Sequence, residues 1–80
     1  MIKFEFGRTY FNRFIGDADS RFECTVIKRT AKTVTITTAM YDQPVRRTIR
    51  VWNGVEEILP FGKYSLAPVL RADRVKGEDE

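Results

Sequence analysis

The side chains best suited to chemistry in this chain sit on three short runs that alternate apolar with polar residues. Thr25, Ile27 and Arg29 fall on one, Thr33, Thr35 and Thr37 on the next, and Arg46, Thr48 and Arg50 on a third, with Lys28 and Lys32 at the tip between the first two. On extended backbone, residues two apart share a face. Laid side by side, these hydroxyls and guanidinium groups would point at one plane. Such an array suits phosphate oxygens, which a guanidinium grips with two donors and a lysine meets as a point charge. Trp52 and an exposed tyrosine would add flat surfaces on which unpaired bases stack. The expected activity is binding of nucleic acid, or of an enzyme that processes it, through this Thr/Arg sheet face. A plain solvent-facing sheet uses the same residues, because threonine suits strands and arginine keeps their edges from pairing. No RNP-type or cold-shock-type aromatic run accompanies the pattern.

A second arrangement points to a protein partner. Tyr41, Trp52, Phe61 and Tyr64 lie in or beside turns, where they would gather at one end of the fold. Aromatic residues and arginine dominate the energetics of protein interfaces. The same rings would also serve simply to close the ends of a core.

Catalysis finds little support. The sequence has no histidine and one cysteine, which removes the commonest general base and any Cys–His nucleophile. Asp17 and Asp19 share parity and could face a hard cation, but no Asp-x-Asp-x-Asp-Gly set follows, and a solvated turn accounts for them. Glu56 falls on or near an apolar parity, where pairing with Arg47 would explain a buried acid. Cys24 sits on the apolar parity of its run and reads as a buried, inert thiol. The five glycines form no phosphate-cradling loop. A non-enzymatic module without cofactor or metal is expected.

The elements that must position these side chains are nearly all extended. Ile2, Phe4 and Phe6 alternate with Lys3 and Glu5 as in a half-buried strand. Thr9 to Ile15 is extended and aromatic on both parities, and Gly16 to Ser20 reads as a loop. Phe22, Cys24 and Val26 then alternate up to a hairpin. For Val26 to meet Ile36 on the buried face, the loop must hold three or five residues centred on Ala31. A further strand runs from Val45 to Trp52, with Arg47 on its apolar parity. Asn53-Gly54 is a strong two-residue turn signal and pairs Trp52 with Val55, Val51 with Glu56, Arg50 with Glu57 and Ile49 with Ile58. Pro68 confines any later strand to an edge, and Val69 to Ala72 would close the structure.

These elements predict an all-β fold with little or no helix: a five- or six-stranded antiparallel barrel, SH3-like or OB-like, over residues 1–75, with 76–80 an acidic disordered tail. Closure is expected because a small open sheet would leave an apolar face wet and two edges unpaired. An edge strand would be available for homodimer pairing. The chain of 80 residues carries a net charge of +3 although its last three residues are acidic, so the body is basic. The lone thiol and a beginning that alternates charge with hydrophobicity predict a cytoplasmic protein, and no apolar run approaches a membrane span.

The stretches Arg29-Thr30-Ala31-Lys32-Thr33-Val34-Thr35-Ile36 and Leu59 to Ala72 resemble small uncharacterised β-rich proteins of bacterial phages and integrated mobile elements, over most of Phe6 to Ala72. The resemblance implies no assigned activity and no site residues. It implies a setting in which small proteins bind nucleic acid or disable host machinery, so that an inhibitor of a host defence system, anti-CRISPR-like, is the alternative function. An inhibitor that mimics nucleic acid would be acidic, and this body is basic.

Overall fold

Apolar–polar alternation becomes a set of antiparallel strands in a computed structural model that describes residues 1–14, 16–65 and 67–77. The strands are β1 (Thr9–Phe14), β2 (Asp17–Arg29), β3 (Thr33–Thr37), β4 (Val45–Thr48), β5 (Arg50–Trp52), β6 (Val55–Ile58) and β7 (Leu70–Arg71). No helix occurs among the described residues, and so none there is long and apolar enough to cross a membrane.

The barrel expectation, whether SH3-like or OB-like, is overturned. The strands form two open sheets, one of order β1-β2-β3-β4 and one of order β5-β6-β7. The reason lies at Ile49. Thr48 still pairs with Thr33, Ile49 donates its N–H to the Lys32 carbonyl at 2.8 Å, and Arg50 onward pairs with β6. One run of alternating residues is thereby divided between two ladders. Val26, Val34 and Ile36 of the first sheet and Ile58 and Leu70 of the second share a single core with Phe4, Tyr10 and Phe22. Packing the two inner faces together covers both without closing a hydrogen-bonded ring. β7 ends its sheet as an edge of two residues after Pro68 and closes nothing.

The β2–β3 hairpin reaches the expected register by an unexpected route. Val26 does face Ile36. The turn, however, is even: Thr30 donates its N–H to the Thr33 carbonyl at 2.9 Å, leaving Ala31 and Lys32 at the tip. The odd residue is absorbed by a β-bulge between Val26 and Lys28. Thr30 Oγ1 accepts the N–H groups of Lys32 at 3.2 Å and Thr33 at 3.0 Å, a side-chain-closed turn that does not rely on glycine. Past the bulge the parity inverts. Val26 and Arg29, three apart, both face inward, Arg29 opposite Val34.

Asn53 and Gly54 take φ of 53° and 77°, as a type I′ turn requires, and pair Arg50, Val51 and Trp52 with Glu57, Glu56 and Val55. The beginning of the chain departs from expectation. Ile2 makes one parallel bridge to Val55, Phe4 is buried, and Phe6 is exposed. After Arg8 donates back to the Glu5 carbonyl, the segment delivers Phe4 to the core and adds no strand. Asp17 to Ser20, expected as a loop, opens β2; the side chain of Asp17 lies outside the described residues, as does the acidic end, 78–80. Lys76, expected to begin a disordered tail, donates its N–H to the Thr9 carbonyl at 2.9 Å.

Candidate functional site

The outward face of β2-β3-β4 assembles most of the array read from the sequence. Thr35 stands in register between Lys28 and Arg46, Thr33 beside Thr48, and Thr25 between Thr9 and Thr37. The Thr9 and Thr25 hydroxyls are 2.8 Å apart. Lys32 extends from the tip.

Arg29 leaves this face. The bulge turns it inward, where Nη1 and Nη2 donate to Glu56 Oε1 and Oε2 at 2.8 and 3.1 Å, and Nη1 also donates to the Phe4 carbonyl at 2.6 Å. The Phe4 N–H donates to Glu56 Oε1 at 2.8 Å. Glu56 is only 3% exposed. Burial raises its pKa, but the Arg29 hydrogen bond, the Phe4 N–H and the nearby charges of Arg29 and Lys3 hold it below the ordinary carboxylate value. Arg29 is in turn held above its ordinary value, chiefly by the Glu56 hydrogen bond. Arg47, the expected partner of Glu56, instead donates Nε to the Pro60 carbonyl at 3.0 Å and Nη1 to the Arg46 carbonyl at 3.3 Å.

Arg50 lies past the corner, on the outer face of the second sheet. Its Nε reaches Glu57 Oε1 at 2.6 Å, and Arg71 approaches Glu57 Oε2 at 3.4 Å. The three are direct cross-strand neighbours. Glu57 is buried between two guanidinium groups, and the row keeps one net positive charge.

Ion pairing engages some cations and leaves others without a carboxylate. Arg8 pairs with Glu5, and Arg21 and Lys76 both pair with Glu23. Among the described residues Lys3, Arg13, Lys28, Lys32, Arg46, Arg47, Lys63 and Arg74 have no carboxylate partner. Five of these eight, Lys28, Lys32, Arg46, Arg47 and Lys63, lie on the β2–β3 tip, on β4 and in the turn beside it. Where the two sheets meet, Arg47, Thr48, Arg50, Leu59, Gly62 and Lys63 line a cleft of about 330 Å³. Lys63 was absent from the array read in the sequence, because it follows a Pro-Phe-Gly turn and belongs to no strand.

The aromatic residues separate. Phe61 packs against Phe22, Phe14 and Tyr41 with ring centroids at 5.0, 5.8 and 5.9 Å, a cluster that closes one end of the core. Trp52 stands elsewhere, 61% exposed on the second sheet, and Tyr64 is also exposed.

Cys24 has no exposure to solvent. Burial pushes its thiol up to about 11, against a smaller downward pull from a Thr38 hydrogen bond. The thiolate is the reactive form, so at neutral pH the native protein should label with iodoacetamide no faster than it opens. The denatured chain should react at the rate of a free thiol; equal rates in the two states would contradict this burial.

No family model, curated protein or solved structure matches the chain. The phage and mobile-element setting has nothing to rest on in these comparisons and is withdrawn, and no activity passes to this chain from a relative.

Proposed function

We propose that the protein is a non-catalytic, cytoplasmic module that binds nucleic acid through the outward face of β2-β3-β4, with Lys28, Lys32 and Arg46 as the main phosphate contacts and Thr33, Thr35 and Thr48 as hydroxyl donors. The observation that carries this reading is the run of unpaired cations beside the threonines of the β2–β3–β4 face. Lys28, Lys32, Arg46, Arg47 and Lys63, on the tip, β4 and the adjoining turn, make up five of the eight cations without a carboxylate partner among the described residues. Charge left uncompensated on one face is the electrostatic footprint of a polyanion site. Thr35, between a lysine and an arginine, adds a neutral donor where a phosphate oxygen would rest. A fully buried thiol also accords with a reducing compartment.

The test is a salt titration. Each phosphate contact contributes about 0.7 to 0.9 to the slope of log affinity against log salt, so replacing Lys28, Lys32 and Arg46 together by alanine should flatten the slope by about 2 to 3. All three side chains are exposed, and the melting temperature should move little. Unchanged affinity and slope, or failure of the parent protein to bind DNA or RNA, would overturn the proposal.

A further inference from the structure

We infer that the nucleic acid taken by this surface is single-stranded, with one phosphate held in the corner cleft and the adjoining base stacked on Trp52. The inference rests on the reading above and deepens it. Arg50 and Trp52 alternate on β5, which puts them on one face about 6.5 Å apart along the strand. Arg50 lines two depressions at once: the cleft with Arg47, Thr48 and Lys63, and a second groove lined also by Trp52, Glu57, Val69 and Arg71. One arginine thus joins a cationic cleft to an exposed ring.

Trp52 is presented rather than left over. Its backbone is fixed by the Asn53-Gly54 turn and by Arg71, whose Nη2 donates to the Trp52 carbonyl at 3.2 Å. Its ring, by contrast, touches no other aromatic ring among the described residues. An indole held open beside guanidinium groups offers a flat π-face next to positive charge. A duplex offers base edges in its grooves and keeps base faces within the stack. A strand with unpaired bases presents both features that the corner matches, a phosphate and a free base face. Glu57 does not repel such a strand, because Arg50 and Arg71 flank it on both sides.

Trp52 is the only tryptophan in the chain, so intrinsic fluorescence reports on this ring alone. The full chain is titrated with a short oligothymidylate and with a hairpin duplex of equal charge, at one salt concentration. The single strand should quench the fluorescence and bind at least tenfold tighter than the duplex. Trp52→Ala should weaken single-strand binding by about 5- to 150-fold, the equivalent of ~1–3 kcal/mol per stacked base, whereas Trp52→Phe should retain most of it. Lys63→Ala should weaken it without altering the quench at saturation. Duplex binding as tight as single-strand binding, with no quench and no effect of Trp52→Ala, would overturn this inference and leave the nucleic-acid reading standing. Binding of neither probe would overturn both.

Discussion

Replacing Glu56 by alanine should cost about 3–5 kcal/mol, because it strips the largely buried Arg29 guanidinium of its carboxylate and the Phe4 N–H of its acceptor. Domains hold roughly 0.05–0.15 kcal/mol of stability per residue. For a chain of 80 residues the loss is a large part of the whole. The carboxylate accepts from Arg29 at 2.8 and 3.1 Å and from Phe4 at 2.8 Å, and the Arg29–Phe4 carbonyl bond completes the ring. Three elements are tied at this point: the beginning of the chain, β2 just past its bulge, and β6. In a thermal melt the midpoint should fall by about 15 °C or more, at about 4–8 °C per kcal/mol for a domain of this size. Glu56→Gln should fall between parent and alanine, since its amide oxygen still accepts from Phe4. Replacing Arg29 and Glu56 together by methionine should recover much of the loss, because the charge left buried is the expensive part. A midpoint lowered by only a degree or two in Glu56→Ala would reduce the pair to the value of a surface contact.

The same pair gives acid sensitivity a definite sign. Glu56 is held below its ordinary pKa in the folded state, so the folded chain binds fewer protons there than the unfolded one. Its contribution is complete above the unfolded carboxylate value and is lost as pH falls through the folded one. Cys24 acts on the alkaline side. Its thiol is raised from 9.0 to about 11, so its contribution is complete below pH 9 and lost as pH rises through about 11. Denaturant titrations of Glu56→Gln should lack part of the acid limb.

What could be read in the sequence divides along one physical line: local chemistry was readable, and long-range compensation was not. Asn53-Gly54 dictates its own backbone, so the pairing of Arg50 with Glu57 and of Trp52 with Val55 followed correctly. The meeting of Val26 with Ile36 also followed, because burial of one face demands it. The bulge at Ile27 did not, since a bulge and an odd loop correct the same parity and an alternating pattern cannot tell them apart. That ambiguity moved Arg29 from the outer array to the interior and gave Glu56 a different partner. Closure failed for a similar reason. Alternation through Val45 to Trp52 shows that both ends of the run have an apolar face, not that they share a sheet, and only the Ile49 to Lys32 hydrogen bond reveals the corner. Lys63 was invisible because a cation in a turn carries no periodicity, and its role depends on Arg47 and Thr48 lying across the cleft.

Phe22→Ala should be comparably severe, about 3–5 kcal/mol for a large ring removed from a packed interior, and its effect should reach the binding surface. Phe22 is 5% exposed and meets Phe14 at 5.1 Å and Phe61 edge-on at 5.0 Å. Geometries of this kind add about 0.5–1.5 kcal/mol per pair beyond burial. Phe61 belongs to the segment that supplies the Pro60 carbonyl to Arg47 and carries Lys63 to the cleft. Loosening the cluster therefore loosens the acceptor that aims one cation and the chain that places another. In urea unfolding the midpoint should fall sharply, and at temperatures where Phe22→Ala remains folded its affinity for a single strand should fall as in Lys63→Ala, although residue 22 does not line the cleft. Phe22→Leu, which keeps most of the volume, should restore much of the stability and of the binding together. A variant that loses stability while binding as the parent does would show that the 59–63 segment holds its place without the aromatic cluster, and that Arg47 and the β4 edge alone set the geometry of the corner.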